Sequence, residues 1–279
     1  MRDMLSWCHR HWALVTGGGM LVVLVVIALA APLLYPEDPW SMVGPPDVPP
    51  FEEGFLFGTD SLGRDVAAGI VHGARISLLL GLVSTACAVL IGTTVGAVSG
   101  YFAGVVDDVL MRLTEFFQTI PSFMLALVLV AVLAPSVWTI VLAIAVVSWP
   151  PVARLVRAEF LSLRSRDFVK AAVVGGHPTH YIVTRHVLPN ALTPIIVTAS
   201  LMVASAILLE SALSFLGLGD RNNITWGFMI GAGRPMIRQA WWLSAIPGLA
   251  IFYTVLALNL LGQGLADLMN PRLSHEGRA

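Results

Sequence analysis

Residues 13–34 read ALVTGGGMLVVLVVIALAAPLL, a stretch of 22 residues without a charged side chain. A helix needs about 20 consecutive, mostly apolar residues to cross the hydrocarbon core of a bilayer. The stretch therefore predicts a membrane-spanning helix. It decides the class of fold, because several later stretches of the chain have the same character.

The composition extends this conclusion to the whole chain of 279 residues. Hydrophobic residues make up 57% and charged residues 12%, whereas soluble domains carry about 25% charged residues. The mean hydropathy is +0.81, so the expected surrounding is a lipid bilayer. A disordered chain, a disulfide scaffold and a nucleic-acid-binding protein are excluded. No structural disulfide is expected, because Cys8 precedes the first apolar stretch and Cys87 lies inside the second.

Six apolar stretches predict an all-α polytopic membrane helix bundle with about six transmembrane helices. They lie at residues 13–34, 76–101, 117–134, 137–156, 194–216 and 242–265. The third and fourth are separated only by Pro135 and Ser136, which predicts a tight helical hairpin; treating them as one broken element would leave five spans. The first also resembles a secretory signal peptide, but it exceeds the usual apolar length of about 7–15 residues, which favours an uncleaved helix.

The distribution of arginine and lysine predicts that both termini lie in the cytoplasm. With six spans in this orientation, the inside segments hold eleven basic residues. The outside segments hold five, namely Arg64, Arg75, Arg221, Arg234 and Arg238. Cytoplasmic segments carry the excess of positive charge in membrane proteins, and this orientation satisfies that rule.

The sequence contains no motif for hydrolysis, nucleophilic catalysis or metal binding. Its only lysine, Lys170, follows Phe168 and Val169, so a glycine-rich phosphate loop that ends in lysine is absent. His-Glu-x-x-His, Cys-x-x-Cys and Gly-x-Ser-x-Gly motifs are also absent. We therefore expect no catalytic residue, no metal site and no cofactor bound by this chain.

Two features inside the predicted spans have both a structural and a functional interpretation. Glu210 is an acid deep in an apolar stretch, where it should face protein or a water-filled cavity. It is either a residue of the translocation path or a structural carboxyl bonded to a neighbouring helix. A stripe of glycines at four-residue spacing lies in the second span and predicts close helix packing, although a gating role is the alternative. It consists of Gly92, Gly96, Gly100 and Gly104.

The richest polar segment lies between the fourth and fifth predicted spans. Residues 167–176 read DFVKAAVVGG and predict a short helix with Asp167 as its N-cap and an end at Gly176. Phe168 and Val169 would form an apolar knob on this helix, and two alanines would form a flat side. Such a helix suits docking into a groove of another protein; an ordinary basic loop is the alternative.

This segment resembles the cytoplasmic EAA loop of ABC-transporter permeases, whose pattern is Glu-Ala-Ala, three residues, Gly, nine residues, Ile, one residue, Leu-Pro. Two positions depart from the pattern, because Lys170 replaces the glutamate and His186 replaces the isoleucine. The matching positions are Ala171, Ala172, Gly176, Leu188 and Pro189. The resemblance implies that these residues, with Asp167, Phe168, Val169 and Lys170, couple the chain to an ATPase.

Four further stretches resemble the dipeptide/oligopeptide/nickel branch of that family, specifically its "C"-type subunit. They lie at 57–65 with 73–78, at 213–219 with 226–227, at 241–242 with 247–248, and at 259–262 with 270–273. The first contains the external signature loop of Gly58, Thr59, Asp60, Gly63, Arg64 and Asp65. Thr59 and Asp60 have the alternative of only capping a turn, and Arg64 and Asp65 that of only pairing with each other.

The resemblance implies the fold of a type I (MetI-like) ABC importer permease in the inner membrane of a bacterium. Its implied partners are a second homologous permease, two ABC ATPase subunits that bind ATP and magnesium, and an extracytoplasmic solute-binding protein. Residues 1–75 would form the first span and external loop, 76–273 the permease core with a coupling loop at about 158–190, and 274–279 a tail. A di- or oligopeptide is the expected solute. A proton-coupled secondary transporter that uses Glu210 is the alternative.

Overall fold

The computed structural model describes residues 11–269. Several sequence features lie outside the described residues: Cys8, the basic residues Arg2, Arg10, Arg272 and Arg278, the 270–273 motif and the tail at 274–279. Within the described part the regular elements are helices. We number them α1 Trp12–Leu34, α2 Val66–Phe102, α3 Gly104–Thr119, α4 Ser122–Leu133, α5 Val137–Arg164, α6 Asp167–Val174, α7 Thr179–Ile182, α8 Leu188–Leu213, α9 Trp226–Gly233 and α10 Trp242–Met269.

Five helical segments of the described chain are long and apolar enough to cross a membrane. Four of them are α1, α2, α5 and α10, and the fifth is the continuous helix Thr179–Leu218 that contains α8. The pair of α3 and α4 passes the same test only when it is taken as one span, and it is bent by 82°. The all-helical bundle is confirmed, with five or six spans.

The predicted third span, 117–134, is wrong as a single helix. The helix breaks at Ile120, which is extended, and Pro121, because proline disfavours the helical conformation of the residue before it. The remaining α4 has 12 residues, about 18 Å at 1.5 Å per residue, whereas the hydrocarbon core is about 30 Å thick. The residues before the break belong to α3, whose apolar and polar residues lie on opposite faces.

The second span begins earlier than its hydropathy predicted. It starts at Val66 rather than at residue 76, because Asp65 caps its first turn by accepting a hydrogen bond from the amide of Ala67 at 2.8 Å. The hairpin between α4 and α5 is confirmed. Ala134 has a φ of +67°, and the Ser136 side chain accepts from the amide of Thr139 at 3.1 Å.

The packing role of the glycine stripe is confirmed for three of its four members. Gly92, Gly96 and Gly100 face α5, and a Cβ atom at Gly96 would lie 2.4 Å from the carbonyl oxygen of Ala153. Gly104 does not belong to the stripe, because α2 ends at Phe102 and Gly104 opens α3 with a φ of +58°. The first and last described helices also pack closely, since a Cβ atom at Gly17 would lie 2.5 Å from the amide nitrogen of Leu261.

Candidate coupling surface and signature loop

The predicted docking helix is α6, Asp167–Val174, and it lies outside the bundle between α5 and α8. Asp167 is its first residue rather than its N-cap: Arg166 holds the cap position, and no side chain caps this end. The Asp167 carboxylate instead lies 3.7 Å from the amino group of Lys170, one turn later on the same helix. Both side chains are exposed, so this ion pair contributes little to stability.

The carboxyl end of α6 is a Schellman motif built on Gly176. The amide of His177 donates to the carbonyl oxygen of Ala172 at 3.2 Å, and the amide of Gly176 donates to that of Val173 at 3.0 Å. This pattern needs a left-handed residue at the position of Gly176, and its φ is +74°. The predicted helix end is therefore confirmed, and Gly176 serves by its backbone conformation.

The apolar residues of α6 are not distributed over its two faces as the sequence predicted. Val169 is not part of an exposed knob, because it and Ala172 point inward and are 1% and 8% exposed. They share a cluster with Phe160 of α5 and Val187. Phe168, by contrast, is 42% exposed. Residues 168 and 171 are thus presented outward, while 169 and 172, three positions apart on the opposite face, anchor the helix.

The rest of the EAA-like pattern connects α6 to the next span. The short α7 leads into a π-helical turn, Val183–Val187, which continues directly into α8. Leu188 is the first residue of α8 and packs against the cluster that holds α6, and Pro189 occupies the first turn, where a proline is compatible with the helix. The structure therefore joins α6 to two long helices, α5 and α8, by short connections.

The signature loop is folded on itself at Thr59. This residue is fully buried, and its hydroxyl donates to the carbonyl oxygen of Pro45 at 2.6 Å and accepts from the amide of Val48 at 2.9 Å. Gly58 and Gly63 both have a φ of +75°, and a Cβ atom at either one would lie within 2.2 Å of a carbonyl oxygen. These residues fix the shape of the loop.

The charged residues of the signature loop do not pair as neighbours in sequence. Arg64 lies 4.7 Å from the ring centroid of Trp40 and 4.0 Å from the Asp60 carboxylate. Asp60 also closes a turn, since its carboxylate accepts from the amides of Leu62 and Arg64. Asp65 caps α2, and burial raises the pKa of its carboxyl above the ordinary value, opposed by hydrogen bonds from backbone amides. The alternative pairing of Arg64 with Asp65 is wrong.

Glu210 is a buried carboxylate that joins two segments. It is 1% exposed, and its Oε1 atom accepts hydrogen bonds from the hydroxyls of Ser214 and Thr225, both at 2.7 Å. Thr225 is the N-cap of α9, and its hydroxyl accepts from the amide of Phe228 at 3.0 Å. Glu210 therefore positions the start of α9 against the end of α8. This geometry supports the structural interpretation.

The family profile described as "binding-protein-dependent transport system inner membrane component" matches residues 92–275. The chain belongs to this family. It is thus a permease subunit of an ABC importer, that is, a transport subunit, and a multi-pass protein of the inner membrane. The family implies ATPase and substrate-binding partners, and its match covers both α6 and Glu210.

Named relatives resemble this permease over nearly their whole length. The di/tripeptide transport system permease protein DppC of Pseudomonas aeruginosa is 40% identical over 97% of this chain and 91% of that protein. The dipeptide transport system permease protein DppC of Alkalihalophilus pseudofirmus is 38% identical over 98% and 90%. The crystal structure of an amino acid ABC transporter with histidines matches with a TM-score of 0.57 at 15% identity, over 73% of this chain and 95% of that one. That last match shows the fold.

The permease also contains an ion pair that the sequence did not predict. Arg157 of α5 donates to both carboxylate oxygens of Asp107 in α3, at 2.5 and 2.6 Å, and Ser99 donates to the same carboxylate. Such bidentate contacts between a guanidinium group and a carboxylate have a defined geometry as well as a favourable charge interaction. They hold α3 against α5 about two turns before the end of α5. The 50-residue separation of the partners leaves no local pattern by which the sequence could reveal the pair.

Proposed function

We propose that this permease is one half of a heterodimeric peptide importer. Its partners would be a second homologous permease, two ATPase subunits that bind ATP and magnesium, and an external binding protein that delivers a di- or oligopeptide. The main support for the solute is that relatives aligned over nine tenths of both chains are named for peptide or dipeptide transport. Magnesium and ATP would be held by the partner subunits, and this chain would bind no cofactor.

The helix α6 is the proposed contact with the ATPase. The observation that supports this role is the division of its faces: Val169 and Ala172 anchor it to the ends of α5 and α8, while Phe168 is left exposed. An anchored helix transmits a displacement to the spans that hold it. Closure of the ATPases would draw the two α6 helices together and switch the bundle between inward-open and outward-open packings, which must be discrete arrangements.

Uptake by the reconstituted complex tests this function against the proton-coupled alternative. In proteoliposomes with the four-subunit complex and peptide-loaded binding protein, we expect uptake that stops without the ATPases or without ATP. Glu210→Gln should keep at least about a third of the uptake, because an amide oxygen still accepts a hydrogen bond from Ser214 or Thr225. Glu210→Leu should lower the yield of folded protein, because it removes the acceptor to which the Ser214 and Thr225 hydroxyls donate.

The proton-coupled alternative predicts the opposite pattern. Uptake would be driven by a pH gradient without ATP, and Glu210→Gln would abolish it, because the amide does not titrate. That pair of results would overturn the importer proposal.

We also propose that both termini and α6 lie in the cytoplasm, while the signature loop lies outside. The support is the excess of basic residues in the segments that this orientation places inside. In a chain with Cys8→Ser and Cys87→Ser, the thiol introduced by Ser41→Cys should react with a membrane-impermeant maleimide in intact cells. The thiol introduced by Ser165→Cys should react only after the membrane is opened. Equal labelling of the two in intact cells would contradict the orientation.

A further inference from the structure

Two cavities flank α9 on the side of the bundle that carries the signature loop. One, of about 420 Å³, lies between that loop and α9, and the other, of about 460 Å³, lies between α9 and the turn Ser214–Leu218. Both volumes fall in the range of about 300–1,000 Å³ that is typical of small-molecule sites. Arg221, Phe228 and Ala232 line both cavities, so the two spaces meet around one short helix.

The charged residues that line the second cavity are all basic. Its lining contains the guanidinium groups of Arg221 and Arg234 and no acidic residue. Arg221 forms no ion pair within residues 11–269. Arg234 stacks on the ring of Phe215, with 5.2 Å between the guanidinium carbon and the ring centroid. Asp60 and Asp65 line the first cavity, but their carboxylates are bonded to backbone amides of the signature loop and of the start of α2. Within residues 11–269 neither Arg221 nor Arg234 forms an ion pair, and two such cations in one cavity favour an anionic ligand.

The acid next to Arg221 in sequence, Asp220, does not neutralise these arginines. Asp220 directs its carboxylate to the backbone amides of Val137 and Asn222 and to the side-chain amide of Asn223, at 2.8–3.1 Å. It is 6% exposed and does not line the cavity. Its role is to tie the segment before α9 to the start of α5, which fixes the backbone next to Arg221.

We propose that Arg221 and Arg234 form a subsite that receives the C-terminal carboxylate of a peptide as it leaves the binding protein. This inference rests on the peptide-import function proposed above. Guanidinium groups bind carboxylates through directed, charge-assisted hydrogen bonds. The apolar side chains of the lining, those of Phe215, Leu216 and Phe228, cannot form hydrogen bonds with the side chains of a peptide. The subsite therefore recognises a feature that peptides share and tolerates variation in their side chains.

The charge of the cavity can be measured without transport. In the complex that lacks Cys8 and Cys87, Leu216→Cys places a thiol in the cavity lining, where Leu216 is 47% exposed. An anionic methanethiosulfonate should react about five- to tenfold faster than a cationic one, relative to the ratio for a free thiol. Arg221→Gln with Arg234→Gln should remove this preference. Arg238→Gln is the matched control, because Arg238 is exposed nearby but lines neither cavity.

The role in transport is tested with the same variants. With saturating peptide-loaded binding protein, Arg221→Gln with Arg234→Gln should lower the maximal uptake rate about five- to tenfold. Arg221→Lys with Arg234→Lys should keep most of the wild-type uptake rate, because both positive charges remain. Arg238→Gln should leave the uptake rate unchanged. The affinity of the complex for peptide-free binding protein should stay at the wild-type value in all variants.

Three results would overturn the subsite, and they differ from failure of the proposed function. Unchanged uptake in the glutamine pair would show that the peptide does not use these arginines. Weaker docking of peptide-free binding protein would show that they meet an acidic group of that protein instead. A reagent preference that survives the substitutions would show that the potential has another source. Failure of peptide import itself would be visible in the wild-type complex, before any substitution.

Discussion

Truncation of Phe168 to alanine should uncouple the permease from its ATPase while leaving the permease folded. The side chain is 42% exposed on the outer face of α6, so its removal leaves no cavity inside the chain. Aromatic residues at the centre of protein interfaces commonly contribute 2 kcal/mol or more to binding, which is a loss of about thirtyfold in affinity. We expect the ATPase recovered with the solubilised permease, and the ATP-driven uptake, to fall accordingly.

Two further variants separate a lost contact from a damaged fold. Ala171→Asp places a charge on the same outer face, where an unpaired charge in an interface is costly, and should behave like Phe168→Ala. Leu142→Ala truncates another exposed apolar side chain, 48% exposed on α5 but outside the coupling loop, and should have no effect on ATPase recovery. Normal recovery of the ATPase with both α6 variants would exclude this face of α6 as the contact.

The sequence predicted α6 well in extent but not in orientation. Its end at Gly176 follows from glycine and the later Pro178, which are local signals. Which side of the helix faces inward depends on the apolar residues that α5 and Val187 bring against it, and those come from distant parts of the chain. Val169 was therefore expected on the exposed surface, although it is an anchor.

The same distinction applies to the membrane spans: their positions follow from local composition, whereas the contacts inside them depend on residues distant in sequence. Hydropathy located the apolar stretches because each must match the bilayer by its own composition. Hydropathy placed the break between the third and fourth stretches correctly. It did not reveal the break at Pro121 inside the third stretch, because one proline hardly changes the hydropathy averaged over a span-length window. Glu210 marked a special position in the sequence. Its partner Thr225 lies 15 residues away across a turn, so the sequence alone left its role open.

Replacement of Gly96 by leucine should prevent normal assembly of the bundle. A Cβ atom at this position would lie 2.4 Å from the carbonyl oxygen of Ala153 and 2.8 Å from the Cβ of Val156. A carbonyl oxygen inside α5 cannot move aside without breaking that helix, so α2 and α5 would have to separate. Overpacking costs about 1–3 kcal/mol or more, and even Gly96→Ala should lower the thermal midpoint in detergent.

Gly19 provides the matched control for this effect. It also lies inside a membrane-spanning helix, α1, but a Cβ atom there would meet nothing within 4 Å. Gly19→Ala should therefore leave the thermal midpoint unchanged or raise it slightly, because alanine favours the helix over glycine by about 1 kcal/mol. The measurement is size-exclusion chromatography of the solubilised permease after heating, with Gly96→Ala, Gly96→Leu and Gly19→Ala compared with the wild type. Equal midpoints for Gly96→Leu and Gly19→Ala would show that the contact between α2 and α5 does not depend on the small residue.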